Sequence, residues 1–447
     1  MKWLSVALLA LVQPVCADCQ PLRAAVAKID ITPPPGKYLL GSGEVLAVGT
    51  LDPLEARVLI LQAGSKTIAL VTLDLCRVFQ APLVADLRAR ARRSGIDYVL
   101  IAASHTHSGP IIPLNEEMPL DAMTSWQKEA VRQIGDVIDA SAKRLEAVRM
   151  GVGYGSVYIG HNRRRVNPDG TVTMFFSNPT RVPTSPVDPT VGVVRIDKND
   201  GRPLAILVNY ACHPVVIMGR LTKYSADYPN FTRQTVERAF NGAPMCFFLQ
   251  GAAGDIDTYY TGVRPEEDPV FKAKWEGERL GEEAAHVAQR IDAAEDREAS
   301  IQFSEDALPF RWRWGAGKFE EVMRHVNPPK LLGYYMPLVR PTLEVPVATM
   351  LINRKLAIAA LPGEPFVEFQ MNFRDRSPVR DCLFLGYANG FFSYFPTIRA
   401  AAEGGHGGAL WTRVEPGAGE RMVDHALVKI YEMLGRLTDT PQPPRSR

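Results

Sequence analysis

Residues 55–75 read EARVLILQAGSKTIALVTLDL, two apolar runs on either side of an Ala-Gly-Ser-Lys turn. Apolar runs of this length, bounded by turn residues, predict two β-strands. The segment at 81–95, APLVADLRARARRSG, has apolar residues at helical spacing and ends at Gly95. A second apolar run, DYVLIAAS at 97–104, then predicts a buried strand. Strand, strand, helix and strand in succession predict an α/β protein.

The same alternation continues to the end of the chain. The pattern predicts helices within 122–145, 230–239, 271–291 and 422–434 and after Pro365, and strands at 191–197, 204–210, 245–250, 343–361 and 382–388. The turn Asn199-Asp200-Gly201 is typical of a hairpin. We therefore expect mixed β-sheets flanked by helices in one domain over 18–447. The one long loop-like stretch, 167–189, fits an insertion or lid as well as a domain boundary.

Composition limits the classes of partner. The chain has 447 residues, of which 46% are hydrophobic, so it has ample material for a large core. Its 51 basic and 49 acidic residues leave a formal charge of only +2. This balance argues against nucleic acid or an anionic membrane as the main partner, and it leaves small-molecule or lipid substrates open.

The N-terminus has the pattern of an export signal. Lys2 is followed by an apolar stretch and then by Val15-Cys16-Ala17, which suits signal peptidase. We predict a signal peptide over 1–17, export to the periplasm or beyond, and no transmembrane segment. Five cysteines would remain, an odd number without CxxC spacing, which argues against a zinc ribbon or a disulfide framework. Most are expected to be buried thiols, and one or two bridges stay open.

Polar residues follow several predicted strands. The run LIAAS ends at His105, the run LVNYAC at His213, and FFLQGAAG at Asp255. Binding sites of open α/β sheets gather where strands end. His105 and His107 stand two residues apart, a spacing that would put both on one face of a strand. A His-x-His pair with a distant third His is one way to begin a zinc site, although such pairs also occur as surface or hydrogen-bonded core residues.

Taken together, these segments resemble the N-terminal catalytic domain of neutral, non-lysosomal ceramidases, zinc-dependent amidases that cleave the N-acyl bond of ceramide. The resemblance covers most of residues 22–435, and its most specific string is SHTHSGP at 104–110. Further matching segments, in chain order, are AAVAKIDITPPPG, LDLCRVFQ, NYACHP, YSADYPNFT, QGAAGDID, LPGEPFVEF and SYFPT. The resemblance implies a ceramidase-like α/β fold that binds Zn²⁺.

The resemblance also implies the ligands and the catalytic groups. Its motifs correspond to His105, His213, Glu364 and Tyr394 as zinc ligands. Zinc polarises an acyl carbonyl and makes hydroxide available at neutral pH. His107 would exchange protons with the water or the leaving amine. Arg163, which matches an Asn-Arg element of the family, would stabilise the oxyanion. Three successive arginines at 163–165 fit a solvated surface equally well.

The sequence departs from the family at Asp257. The family motif Gly-Asp-Val-Ser-Pro-Asn has a Ser that is essential to its activity, and here Asp257 stands in its place. Asp257 could act as a general base, an additional metal ligand or an anchor for a cationic group of the substrate. The immunoglobulin-like domain of the family, which assists with lipid aggregates, is expected to be absent. Without a transmembrane segment, any membrane contact is expected to be peripheral. We expect a zinc amidohydrolase acting on an N-acyl compound, with a non-catalytic binding protein or a zinc esterase as alternatives.

Overall fold

The computed structural model describes residues 20–437, except 42, 115, 295–298 and 338. The predicted signal peptide and Cys19 lie outside these residues. The strands are β1 Arg23–Asp30, β2 Gly49–Thr50, β3 Glu55–Ala63, β4 Lys66–Leu73, β5 Tyr98–Ala103, β6 Glu146–Ser156, β7 Gly160–Asn162, β8 Arg164–Val166, β9 Val172–Met174, β10 Thr190–Lys198, β11 Pro203–Tyr210, β12 Lys223–Tyr224, β13 Met245–Gln250, β14 Ile256–Thr258, β15 Ile301–Arg311, β16 Thr342–Ile352, β17 Leu356–Ala360, β18 Glu364–Pro365, β19 Asp381–Leu385 and β20 Tyr394–Phe395.

The helices alternate with these strands. They are α1 Ala81–Arg93, α2 Ser125–Ala142, α3 Tyr228–Ala239, α4 Pro269–Arg290, α5 Ala316–Val326, α6 Leu332–Tyr335, α7 Val367–Arg376, α8 Ile398–Glu403 and α9 Ala418–Met433. Each helix predicted from the sequence is present, with ends shifted by a few residues. Among the helices described, none is both long and apolar enough to cross a lipid bilayer.

Two mixed sheets organise the described chain. The larger has the strand order β13-β11-β10-β6-β1-β3-β4-β5, and the smaller has the order β15-β16-β17-β19. The pairs β4/β5, β11/β13 and β17/β19 are parallel, whereas the other neighbours in these two sheets are antiparallel. The predicted fold class, mixed β-sheets flanked by helices, is confirmed.

The two sheets pack face to face, and helices cover their outer faces. Alternate residues of β3 show the division: Leu59 and Leu61 join a core shared with β16, β17 and β19, whereas Val58 and Ile60 join a core shared with α1 and α2. Both faces of the strand are therefore buried, which explains why its sequence is continuously apolar rather than alternating. A third core packs α7 and α9 on the outer face of the smaller sheet.

Candidate active site

The candidate site lies beyond the carboxyl ends of parallel strands. His105 follows β5, His213 follows β11, Glu364 follows β17 and Tyr394 follows β19. Because parallel neighbours end at the same edge of a sheet, the loops that leave them meet in space. The topology of the sheets thus brings the four predicted zinc ligands to one place, although His105 and Tyr394 are 289 residues apart in the sequence.

The expectation that His105 and His107 share one face of a strand is wrong. Strand β5 ends at Ala103, and His105 has a φ angle of 68°, in the left-handed region that few non-glycine residues adopt. The loop nevertheless brings the two imidazoles together, with 3.2 Å between their Nε2 atoms. The candidate ring nitrogens of His105, His107 and His213 all lie within 4.8 Å of one another.

Backbone carbonyls orient two of these imidazoles. Nδ1 of His105 donates to the carbonyl of Cys76, and Nδ1 of His213 donates to the carbonyl of Ala253 at 2.6 Å. A proton held on Nδ1 leaves the lone pair on Nε2 directed into the cluster, as a metal ligand requires. His107 differs, because its buried Nδ1 has no hydrogen-bond partner among the residues described.

Glu364 supplies the carboxylate. Its Oε2 lies 2.9 Å from Nε2 of His213 and 3.4 Å from Nε2 of His105. Burial by itself raises the pKa of Glu364, but the charge and hydrogen bonds of His105 and His213 bring that pKa well below its ordinary value. Gly254 permits this approach, since a Cβ atom there would overlap the backbone oxygen of Glu364.

Tyr394 lies beside Glu364 because β18 and β20 pair in parallel, with these two residues in register. Its hydroxyl accepts a hydrogen bond from Nη2 of Arg163 at 3.0 Å and lies 3.3 Å from Nε2 of His406. Burial lowers the pKa of His406 to about 3, so its imidazole is neutral. The sequence did not predict that His406 adjoins the site. The one signal for it in the sequence is its place in a Gly-rich loop, 12 residues after Tyr394.

Arg163 is buried, so the solvated-surface interpretation of the three arginines is wrong for this residue. Its side chain donates from Nη1 to Oδ1 of Asp257 at 2.9 Å and from Nη2 to the carbonyl of Gly254 at 2.7 Å. Burial opposes the charged form, yet Asp257 and Tyr394 keep the pKa of Arg163 above its ordinary value. Asp257 is 1% exposed, and its Oδ1 is also 3.8 Å from Nδ1 of His213.

A cavity of about 440 Å³ is lined by the described site residues other than His213, namely His105, His107, Arg163, Asp257, Glu364, Tyr394 and His406. Much of the remaining wall is apolar or aromatic, and it includes Leu40, Leu114, Phe176, Val215, Phe391 and Trp411. Phe176 belongs to the predicted loop at 167–189, so that loop forms part of the wall. A cavity of this size and lining can enclose a hydrophobic chain beside the polar cluster.

Two other acidic residues have structural roles. Asp74 forms a two-pronged ion pair with Arg233 at 2.7 and 2.8 Å, and Asp227 caps helix α3 through the backbone N–H of Tyr228. Neither carboxylate contacts the histidine cluster through these bonds. Cys76, Cys212, Cys246 and Cys382 are buried free thiols, as expected.

The fold and the site together define an α/β protein with a buried cluster of imidazoles and a carboxylate, a donor set suited to a divalent metal such as zinc. No model of a protein family matches the chain. A neutral ceramidase of Pseudomonas aeruginosa is 30% identical over 220 residues, which are 44% of this chain and 31% of that protein. The matched part thus spans about a third of the length of this curated relative.

Solved structures are similar over a longer range. The crystal structure of the neutral ceramidase from Pseudomonas aeruginosa has a TM-score of 0.70 and 19% identity, and the match covers 95% of this chain and 76% of that one. A ceramidase complexed with C2 has a TM-score of 0.68 and 19% identity, covering 95% of this chain and 77% of that one. The resemblance is confirmed: the protein is neutral ceramidase-like in fold, and in part of its sequence.

Proposed function

We propose that this protein is a zinc-dependent hydrolase that cleaves the amide bond of an N-acyl lipid. The observation that carries the proposal is that three potential metal-ligand atoms lie close together. Oε2 of Glu364 is 2.9 Å from Nε2 of His213 and 3.4 Å from Nε2 of His105. Buried imidazoles and a carboxylate beside an apolar cavity suit a catalytic metal next to an acyl chain.

The side chains of this cluster are of the kinds that bind zinc. Metal-bound histidines almost always donate their second ring nitrogen to a carbonyl or carboxylate, as His105 and His213 do. We therefore propose His105, His213, Glu364 and Tyr394 as the ligands. When bound, zinc would polarise the acyl carbonyl and lower the pKa of a water. His107 lacks a carbonyl partner at Nδ1, which supports a role outside the ligand set.

His107 is the proposed proton carrier. Burial holds the pKa of His107 well below its ordinary value, so the imidazole is neutral and can accept a proton at Nε2. That proton would leave with the amine once the C–N bond breaks. Arg163 would stabilise the developing oxyanion, and its Nε has no hydrogen-bond partner among the residues described.

Asp257 is proposed to position Arg163 rather than to act as a base. Its Oδ1 accepts from Nη1 of Arg163, which compensates the buried positive charge. This assignment explains how an Asp can occupy the position of the family Ser without leaving an unpaired charge near the metal. Because Asp257 replaces the family Ser, ceramide is only one of several N-acyl compounds proposed as the substrate.

The experiment is hydrolysis of a panel that spans ceramide, N-acyl amino acids and simple esters. We expect release of amine from at least one amide, its loss with a chelator, and its return with zinc. His105→Ala should abolish turnover, whereas His286→Ala, an exposed histidine of α4, should not. Binding without turnover would identify a non-catalytic relative, and cleavage confined to esters would identify an esterase.

We also propose that the protein is exported after removal of residues 1–17 and contacts membranes only peripherally. The basic, apolar and small-residue pattern of the N-terminus supports export. The apolar cavity supports a lipid substrate, which such a protein would take from a membrane surface or an aggregate.

A further inference from the structure

Arg77 is a buried cation that faces the cavity, and it has no carboxylate partner among the residues that the structure describes. It follows β4 in the segment LDLCRVFQ, is 4% exposed, and lines the same cavity as the histidine cluster. Its Nε and Nη1 atoms have no hydrogen-bond partner in the described part of the chain. Buried guanidinium groups are normally paired, so an unpaired one marks a place where a ligand would complete the bonding.

Other buried arginines of the protein are paired with carboxylates. Arg163 pairs with Asp257 at 2.9 Å, Arg233 pairs with Asp74 at 2.7 Å, and Arg413 pairs with Glu116. Within the ranges described, the guanidinium of Arg77 instead stacks on an aromatic ring, 4.5 Å from the centre of Phe391. The acidic side chains of the cavity are engaged elsewhere, Asp257 with Arg163 and Glu364 with the imidazoles. The cavity therefore presents positive charge to its contents.

Arg77 also lies close to the reacting centre. Its neighbour Cys76 provides the carbonyl that binds Nδ1 of His105. The ring of Phe391 is near both residues, with its centre 4.5 Å from the guanidinium carbon of Arg77 and 6.1 Å from the ring centre of His105. An anion held by Arg77 would thus be near the scissile bond and not at the far end of a long acyl chain.

We infer that the substrate carries a carboxylate on its amine portion, so that the protein hydrolyses N-acyl amino acids, with Arg77 binding the carboxylate. This inference rests on the proposed hydrolase function. In the reaction, water adds across the amide: the C–N bond breaks, hydroxide becomes part of the fatty acid, and the amine takes a proton. No oxidant or reductant is needed. A guanidinium is suited to a carboxylate because it can donate two parallel hydrogen bonds.

The kinetic test compares N-lauroylglycine with N-lauroylethanolamine, which share an acyl chain and differ in the carboxylate. The wild type should prefer the glycine compound in kcat/KM. Arg77→Met, which keeps the apolar stem, should reduce that preference by roughly 10- to 100-fold, the effect of losing a charge-assisted hydrogen bond. Arg77→Lys should restore part of it. The inference would be overturned if the ratio of kcat/KM for N-lauroylglycine to kcat/KM for N-lauroylethanolamine were the same in the wild type and in Arg77→Met.

Binding and stability are measured separately from turnover. Calorimetric affinity for N-lauroylglycine should fall in Arg77→Met by a similar factor, and this result would stand even if no amide were hydrolysed. Arg77→Met should unfold at a temperature no lower than the wild type, whereas Arg413→Met, which breaks an existing pair, should unfold earlier. A destabilised Arg77→Met with unaltered affinity would mean that Arg77 is structural, against the inference.

A third compound locates the anion. The mono-ethanolamide of dodecanedioic acid carries its carboxylate at the far end of the acyl chain. We expect its affinity to be insensitive to Arg77→Met. If this compound depends on Arg77 and N-lauroylglycine does not, the carboxylate belongs to the acyl portion and the assignment to N-acyl amino acids is overturned.

Discussion

Asp257 and Arg163 form a buried ion pair beside the histidine cluster, with 2.9 Å between Oδ1 and Nη1 and side chains that are 1% and 5% exposed. The carboxylate of Asp257 compensates the buried positive charge of Arg163. A serine there could not compensate the charge of Arg163.

The first prediction concerns this pair. Asp257→Ser should lower the free energy of unfolding by about 3–5 kcal/mol, because it leaves the Arg163 cation buried and unpaired. The Arg163→Met/Asp257→Ser double variant should be less destabilised than the sum of the two single variants, with a coupling of about 1–3 kcal/mol. Urea denaturation of all four proteins measures the cycle. Additive effects would show that the pair does not contribute as a unit.

The second prediction separates ligands from the proton carrier. His105→Ala and His213→Ala should weaken zinc binding by more than about 100-fold, beyond the effect of removing an outer-shell partner. His107→Ala should retain stoichiometric zinc and lose turnover. Metal analysis of the purified variants, with His286→Ala as the control, decides the matter. Loss of zinc from His107→Ala would instead make the three imidazoles the ligand set.

The third prediction concerns stability with and without metal. If zinc binds only the folded protein, free zinc at about 1,000 times its dissociation constant should stabilise the fold by about 4 kcal/mol. A chelator should accordingly lower the unfolding temperature of the wild type. The His105→Ala/His213→Ala variant provides the control, because its unfolding temperature should not respond to the chelator. An equal response in both proteins would place the metal elsewhere.

The fourth prediction is a pH dependence at Asp52. Burial raises the pKa of this carboxyl from 3.8 to about 6, although its Oδ2 accepts from Ser225 at 2.5 Å and its Oδ1 from Ala226 at 2.8 Å. The folded state therefore holds the proton more tightly than the unfolded state, and Asp52 reduces stability progressively as the pH rises from about 4 to 6.

Asp52→Asn removes this titration. Relative to the wild type, its free energy of unfolding should rise by about 3 kcal/mol between pH 4 and pH 7. Urea denaturation at both pH values gives the difference, and Asp86→Asn controls for the loss of an exposed carboxylate. A difference that is constant with pH would contradict the raised pKa.

The fifth prediction concerns export. Expression of the full chain in a bacterium with a functional signal peptidase should yield a protein whose N-terminus is Asp18. Intact-mass measurement of the exported fraction tests this outcome, and Ala17→Arg should block the cleavage. An intact Met1 in the exported wild-type protein would exclude the cleavage site.

Local sequence predicted part of the secondary structure, because both apolar periodicity and turn chemistry act over a few residues, but it missed the long strands β1 and β15 and the helix α5. Strands β3 and β4 and helix α1 follow from residues 55–95 alone. The convergence of His105 and His107 was predicted for the wrong reason, since the positive φ angle of His105 depends on contacts outside its segment. The burial of Arg163 was likewise beyond local sequence, because three successive arginines usually face solvent.

What the sequence by itself determined is the position of the strongly apolar strands and of six helices and, through matching motifs, which residues to examine. Only the tertiary structure decided which of them meet. Glu364 and Tyr394 are neighbours because β18 and β20 pair in register, and Asp257 compensates Arg163 because β14 pairs with β7. That Arg77 has no carboxylate partner among the described residues could not be predicted from the sequence, since pairing depends on every element around the cavity. Charge compensation is a property of distance in space, which the linear order of residues does not specify.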